Sequence, residues 1–149
     1  MDNKIMQQII NWQTECILEP KTRGFHLIDE EIKQYLAAMP AIENGLIHFF
    51  LQHTSASLAI SENTCADVAK DLETYFSKNI PDDNRLYRHT LEGVDDMPAH
   101  IKNVLLGVSL TIPLKNKTMA LGQWQGLYLC EHRNQAPARR LIITAQGVS

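Results

Sequence analysis

The sequence predicts an α+β domain: a largely antiparallel β-sheet sandwich with helices packed on it. Short apolar runs bounded by turn residues outnumber the segments of helical period, and the tight connections between them favour antiparallel neighbours. The helical segments each carry one apolar stripe, which suits packing against a sheet face. With 149 residues, 44% of them hydrophobic and 21% charged, the chain has the size and composition of a single folded domain, 1–149, without a linker.

Taken in order, "WQTECILEPKTRGFHLI" from Trp12 to Ile28 reads as two strands around a turn, because Pro20 interrupts the ladder. "DEEIKQYLAAM" then changes period. Asp29 is placed to cap a helix, Glu30 and Glu31 suit its positive end, Ile32, Tyr35, Leu36 and Met39 share a face, and Pro40 ends it. "GLIHFFLQ" reads as a buried strand leading through "HTSA" into a second strand, "SLAIS". In "TCADVAKDLETYF", Thr64 and Asp67 have capping-box spacing, and Val68, Leu72, Tyr75 and Phe76 form a stripe.

"NIPDDNRLYRHTLEGVDD" has no sustained period and reads as a long loop. A short helix follows: Asp95 or Asp96 caps it, Pro98 fits its first turn, Ile101, Val104 and Leu105 face inward, and Gly107 stops it. "VSLTIPL", "TMALGQWQGLYLCEH" and "RRLIITAQG" complete the chain as strands, with turns at "KNKT" and "RNQAPA".

A net charge of −3 and the lack of any basic run argue against a nucleic-acid partner. Polar residues interrupt the N-terminal stretch and no run of about 18 apolar residues occurs, so a cytoplasmic location without membrane association is expected. Cys16, Cys65 and Cys130 lie far apart in sequence, which suits reduced, structural cysteines better than a zinc ribbon or redox dithiol.

The chemistry concentrates in three places: "HTSAS" at a strand end, "HTLEGVDDMPAH" at the loop-to-helix junction, and "GQWQGLYLCEHR" on a late strand. His53, His89, His100 and His132, together with Glu92, Asp95 and Asp96, suit either acid/base work or a divalent metal. Zinc would use the histidines, and magnesium the carboxylates with a substrate phosphate. A blander reading has the two aspartates capping a helix and the histidines closing hydrogen bonds under the loop. Trp124 reads as packing, Arg133 as an anion ligand or a solvent-facing residue, and His26 and His48 as ordinary strand residues.

"HTSASLAISEN", "HTLEGVDDMPAHIKNVLLG" and "LGQWQGLYLCEHR", in that order, resemble the YjbQ-like family, also described as secondary thiamine-phosphate synthase enzymes. The resemblance implies a compact α+β sandwich, a homotrimer, and a cleft gathering His53, Ser55, Asn63, Asp71, His89, Glu92, Asp95, Asp96, His100, Gln125, Glu131 and His132. It further implies joining of a hydroxymethylpyrimidine diphosphate to a thiazole phosphate with release of pyrophosphate. In that reaction Glu92, Asp95 and Asp96 would hold magnesium and Arg133 would meet a phosphate. Among these candidates Ser55, Asn63, Asp71, Gln125 and Arg133 fall to substrate binding and His53, His89, Glu92, Asp96, His100 and His132 to catalysis. His89, His100, His132, Glu92, Asp95 and Asp96 are the candidate metal ligands. Gln123 stands where the family usually has threonine, and "SENTCAD" lacks a proline common after the asparagine. Two alternatives stay open: a metal-dependent hydrolase using the same cleft, motivated by the histidine excess, and a non-catalytic small-ligand-binding oligomer, for which the apolar strands would supply a trimer interface.

Overall fold

The computed structural model describes residues 6–149, so the part of the N-terminal reading that falls on residues 1–5 lies outside the described residues. The chain runs β1 (Ile9–Leu18), β2 (Gly24–Leu27), α1 (Asp29–Leu36), β3 (Asn44–Leu51), β4 (Ala56–Glu62), α2 (Ala66–Asn79), α3 (Asp96–Leu106), β5 (Ser109–Lys115), β6 (Thr118–Met119), β7 (Gln125–Glu131) and β8 (Arg139–Val148). Two sheets form, a large one in the order β1-β8-β3-β5-β6 and a small one in the order β2-β7-β4. Every pairing is antiparallel. This is the α+β sandwich that the pattern of strands and helices predicts.

The hydrophobic core lies between the sheets. Leu18, Ile47, Phe49, Leu51 and Ile143 of the large sheet meet Leu58, Leu127 and Leu129 of the small one, with Ile32 of α1 alongside. The small sheet is covered on its other face as well: Phe25, Tyr128 and Cys130 pack against Ala69, Leu72 and Phe76 of α2 and Leu106 of α3. Buried on both faces, β7 therefore reads as a nearly continuous apolar run instead of an alternating one.

Several sequence expectations are corrected. β1 and β2 do not form a hairpin around Pro20: β1 pairs with β8 and β2 with β7, so the two strands go to different sheets. Among the described residues the one tight hairpin joins β5 to β6 through Asn116 and Lys117, both with positive φ. Residues 120–124 interrupt the long predicted strand, and Trp124 is 58% exposed instead of packed. Asp29 is the first residue of α1 and not its cap, and its Oδ2 instead accepts from the Leu127 amide at 3.0 Å. α1 ends at Leu36, short of Met39.

α2 starts at Ala66, and no Thr64–Asp67 capping box forms. Glu62 Oε2 accepts from the amides of Thr64 (3.1 Å) and Cys65 (2.9 Å) and takes over the cap's task. Tyr75, expected in the apolar stripe, is 61% exposed.

The largest reversal is in α3. Val104 and Leu105, expected inside, are 81% and 64% exposed, while the buried residues are Asp96, Pro98, Ala99 and Lys102. With the buried Asp95 just before the helix, residues 95, 98, 99 and 102 make a stripe of i, i+3, i+4, i+7 spacing. The helix is amphipathic with its polar side turned in. The reason is tertiary: that side must supply charges and donors to the end of β7 and to the turn between β3 and β4.

Candidate functional site

β7 ends at Glu131, the first residue of "EHR", and the chain sends these three consecutive side chains to different places. Glu131 points to the sandwich side, where the Arg139 guanidinium grips it with two bonds of 2.6 Å, both residues being buried. Arg139 also donates to Ser55 Oγ at 3.1 Å. His132 points to the helix side, with Nε2 2.7 Å from Ser57 Oγ. Burial drives the His132 pKa down to about 3, with the positive charges of Lys102, Arg23 and Arg139 adding to it. His132 is thus a neutral interior residue.

Arg133, next in line, reaches the start of α3. Its Nε donates to Asp95 Oδ2 at 3.0 Å, its Nη1 to Asp96 Oδ1, and its Nη2 to the Glu92 carbonyl at 2.9 Å. Asp95 Oδ2 also takes the Asn134 amide at 2.8 Å. Neither aspartate side chain caps the helix. Gly93, with φ of 121°, makes the approach possible, since a Cβ there would lie 2.9 Å from Asp95 Oδ1.

The second oxygen of Asp96 faces the surface. Oδ2 lies 2.6 Å from His89 Nε2 and 3.1 Å from His100 Nε2, and the two imidazole centroids are 5.3 Å apart. Burial alone would raise the Asp96 pKa, but the His89 hydrogen bond, the Arg133 charge and His100 outweigh it and hold the carboxyl below its ordinary range. In Asp95 the Asn134 amide and Arg133 likewise overcome desolvation. Glu92 adds a carboxylate oxygen 3.2 Å from His89 Nε2 and is itself exposed.

His100 shows how the cluster is oriented. Its Nδ1 lies 2.8 Å from the Thr54 carbonyl, which can only accept, so Nδ1 carries a hydrogen. In the neutral ring, Nε2 then presents a lone pair to a carboxylate oxygen. Such a contact needs a cation between the two atoms, either a proton or a metal. One ligand atom from each of His89, Asp96 and His100 lies within 4.8 Å of the others. Tetrahedral zinc, with donors about 2.0–2.2 Å away, needs them roughly 3.3 Å apart, so small side-chain adjustments suffice. The residues present fit such an ion.

The remaining candidates do not join this cluster. His53 Nε2 accepts from the Arg140 amide at 2.9 Å, while burial, then the Arg139 charge, depresses its pKa. Asn63 donates to the Gln123 and Gln125 carbonyls, Gln125 Oε1 accepts from the Gly122 amide, and Asp71 is exposed on α2. His132 and Asp95, expected among the metal ligands, are tied to Ser57 and to Arg133 respectively. Arg133, expected to meet a phosphate, has Nε, Nη1 and Nη2 all engaged within the protein. "HTSAS" does approach the acidic loop, but through backbone carbonyls: Thr54 O receives His100, and the His53 and Ala56 carbonyls receive Asn103.

Sequence reasoning passed over Lys102 and Arg139, both buried. The i, i+3, i+4, i+7 stripe was the available signal for Lys102, and the competing apolar stripe masked it. His26 and His48 sit in β2 and β3 as strand residues, and the three cysteines are free. Burial raises the thiol pKa of both Cys16 and Cys130 to about 12. Among the described residues no helix is long and apolar enough to cross a membrane.

His132 makes stability pH-dependent with a definite sign. Its folded pKa lies below the ordinary 6.5, so an unfolded chain takes up a proton that the native one refuses. Its contribution is complete above pH 6.5 and declines as pH falls toward about 3, by about 1.4 kcal/mol per pH unit. Urea unfolding of the wild type between pH 7 and about 4.5 should show this loss, with His53 adding to it in the same direction. His132→Gln should show a shallower slope, and a flat wild-type profile would contradict the assignment.

The family model described as "UPF0047 protein YjbQ-like" matches residues 14–148. The UPF0047 protein YjbQ of Salmonella typhimurium is 48% identical over 136 residues, covering 91% of this chain and 98% of the relative. A UPF0047 protein of Synechocystis is 40% identical, covering 91% of each chain. Among solved structures, a Thermus thermophilus conserved hypothetical protein is 27% identical with a TM-score of 0.74, covering 87% of this chain and 97% of that one. A Sulfolobus solfataricus protein of unknown function, at 18% identity and a TM-score of 0.82, covers 94% and 99% and shares the fold. The chain belongs to the UPF0047 (YjbQ-like) family.

Proposed function

We propose that the chain is a metal-dependent enzyme of the hydrolase type, in which His89, Asp96 and His100 hold a divalent transition metal beside a small phosphorylated substrate. The carrying observation is the Nδ1–H donation of His100 to the Thr54 carbonyl, which aims Nε2 at Asp96 Oδ2 next to His89. Two nitrogens and one carboxylate oxygen suit zinc better than magnesium, which prefers oxygen ligands. A zinc ion held by these residues would supply Lewis acidity toward a phosphoryl or carbonyl oxygen and would acidify water. Asp96 stays ionised because Arg133 and the histidines hold it so. Thr54 fixes the His100 tautomer, and the exposed Glu92 carboxylate is placed to take a proton beside His89.

A second reading is thiamine-phosphate synthesis, supported by the sequence resemblance and by Glu92, an exposed oxygen donor that a magnesium diphosphate could use. It has less support here, because Arg133 is occupied with Asp95, Asp96 and the Glu92 carbonyl. The proposal also includes assembly as a homotrimer. Leu91 (96% exposed), Val94, Val104 and Leu105 leave an apolar surface, and a shallow cavity of about 260 Å³ lies among Met97, His100, Ile101, Val104 and Leu105. Surfaces of this kind mark interaction sites.

Calorimetric titration of metal-free protein with zinc should give one site per chain. His100→Ala should weaken it at least about 100-fold, in the upper range of losses seen even when only a supporting partner is removed. Unchanged affinity in His100→Ala would overturn the metal assignment. Purified protein should then hydrolyse a phosphate ester in a zinc-dependent manner. Pyrophosphate release from the pyrimidine and thiazole substrates would select the synthase reading instead. Light scattering should give three times 16.9 kDa for the wild type and a lower mass for Leu105→Glu, whereas a monomeric wild type would contradict the trimer.

A further inference from the structure

Three buried polar side-chain atoms have no partner among the described residues: Lys102 Nζ of α3, His132 Nδ1 just past β7, and Glu73 Oε2 of α2. They belong to one neighbourhood. Arg23 holds the other oxygen of Glu73, and Leu106, one turn beyond Lys102 on α3, packs in one cluster with Phe25 and with Phe76 of α2; Lys102 and Arg23 are also among the charges that act on His132. The Phe25 ring stands edge-on to His132 at 6.4 Å and stacks on Phe76 of α2 at 5.8 Å, which walls the region with apolar surface. Leaving three such atoms without partners would carry a desolvation penalty for each.

The donors and acceptors say what fills the space. Lys102 can only donate, and Glu73 Oε2, as part of a carboxylate, can only accept. His132 Nε2 lies 2.7 Å from Ser57 Oγ, a hydroxyl that can donate or accept, so Nδ1 serves as a donor in one tautomer and as an acceptor in the other. A donor, an acceptor and a ring nitrogen that serves as either are therefore left without partners among the described residues.

Arg23 already satisfies Asp82 and the other Glu73 oxygen, the latter at 3.0 Å. Two cations and two carboxylates balance, so no net charge recruits an ion. An anion would meet the Glu73 carboxylate, and a metal cation would meet the Lys102 ammonium. A molecule that both accepts and donates suits all three.

We infer that Lys102 Nζ, His132 Nδ1 and Glu73 Oε2 enclose a buried water site that fastens α3 to α2 and to the end of β7. The site explains how α3 carries a lysine inward, and it stands whether or not the cluster at Asp96 binds metal. Without it, the inward-facing polar stripe would lack its C-terminal anchor.

A crystal structure of the full chain, with a second crystal soaked in bromide, tests this directly. Ordered water about 2.7–3.2 Å from Lys102 Nζ and from at least one acceptor is expected, with no bromide peak. An empty space, a direct Lys102–Glu73 contact or a bromide ion would overturn the inference. Thermal unfolding of Lys102→Met, Glu73→Gln and the double variant gives a second reading. The double variant should lose clearly less in Tm than the sum of the singles, because the bridged pair is removed together. Additive losses would count against the bridge, and if Lys102→Met does not fold, the wild-type crystals decide.

Discussion

The division of one carboxylate governs this site. Asp96 gives Oδ1 to Arg133, which descends from the end of β7, and Oδ2 to His89 and His100, which face the surface. The first contact, together with the His89 hydrogen bond, keeps a buried carboxylate ionised, since desolvation without a partner would favour its protonated form. The second presents that charge to whatever the histidines bind. Arg133 is accordingly a strut that joins the small sheet to α3, and its removal would leave Asp95 and Asp96 buried without their cation.

This strut forces α3 to sit with its polar side inward. Asp95 and Asp96 meet Arg133, His100 and Asn103 clasp the β3–β4 turn, and Lys102 enters the interior. The apolar residues Val104 and Leu105 are left outside as a geometric consequence. An arrangement in which polar anchoring overrides apolar burial places the site and an exposed apolar surface on neighbouring faces of one short helix. His100 belongs to both, as a cluster member and as part of the lining of the apolar cavity.

The fold class was legible because strand and helix periods survive in most elements. β3, β4, β5 and β8 fall close to their apolar runs, and α1 and α2 begin within a few residues of their acidic signals. Strand partners were not legible: β1 and β2 adjoin in sequence yet enter different sheets, and only long-range pairing decides that. In the site, the gathering of His89, Asp96 and His100 follows from their closeness in sequence and from the turn at Gly93. The destinations of Glu131, His132 and Arg133 do not, because they depend on which layer lies on each side of β7. Asp95 and Asp96 resembled capping residues for the same reason: their partner, Arg133, is remote in sequence. For α3, the apolar stripe read as the core-facing side because sequence alone does not reveal the buried cations that outweigh it.

The most direct measurement is a crystal structure of zinc-loaded protein with anomalous data at the zinc edge. The account predicts a single peak bounded by His89 Nε2, His100 Nε2 and Asp96 Oδ2, with Arg133 still bonded to Asp95 and Asp96. A peak ligated by His53 or His132, or an Arg133 side chain turned away from the aspartates, would contradict it.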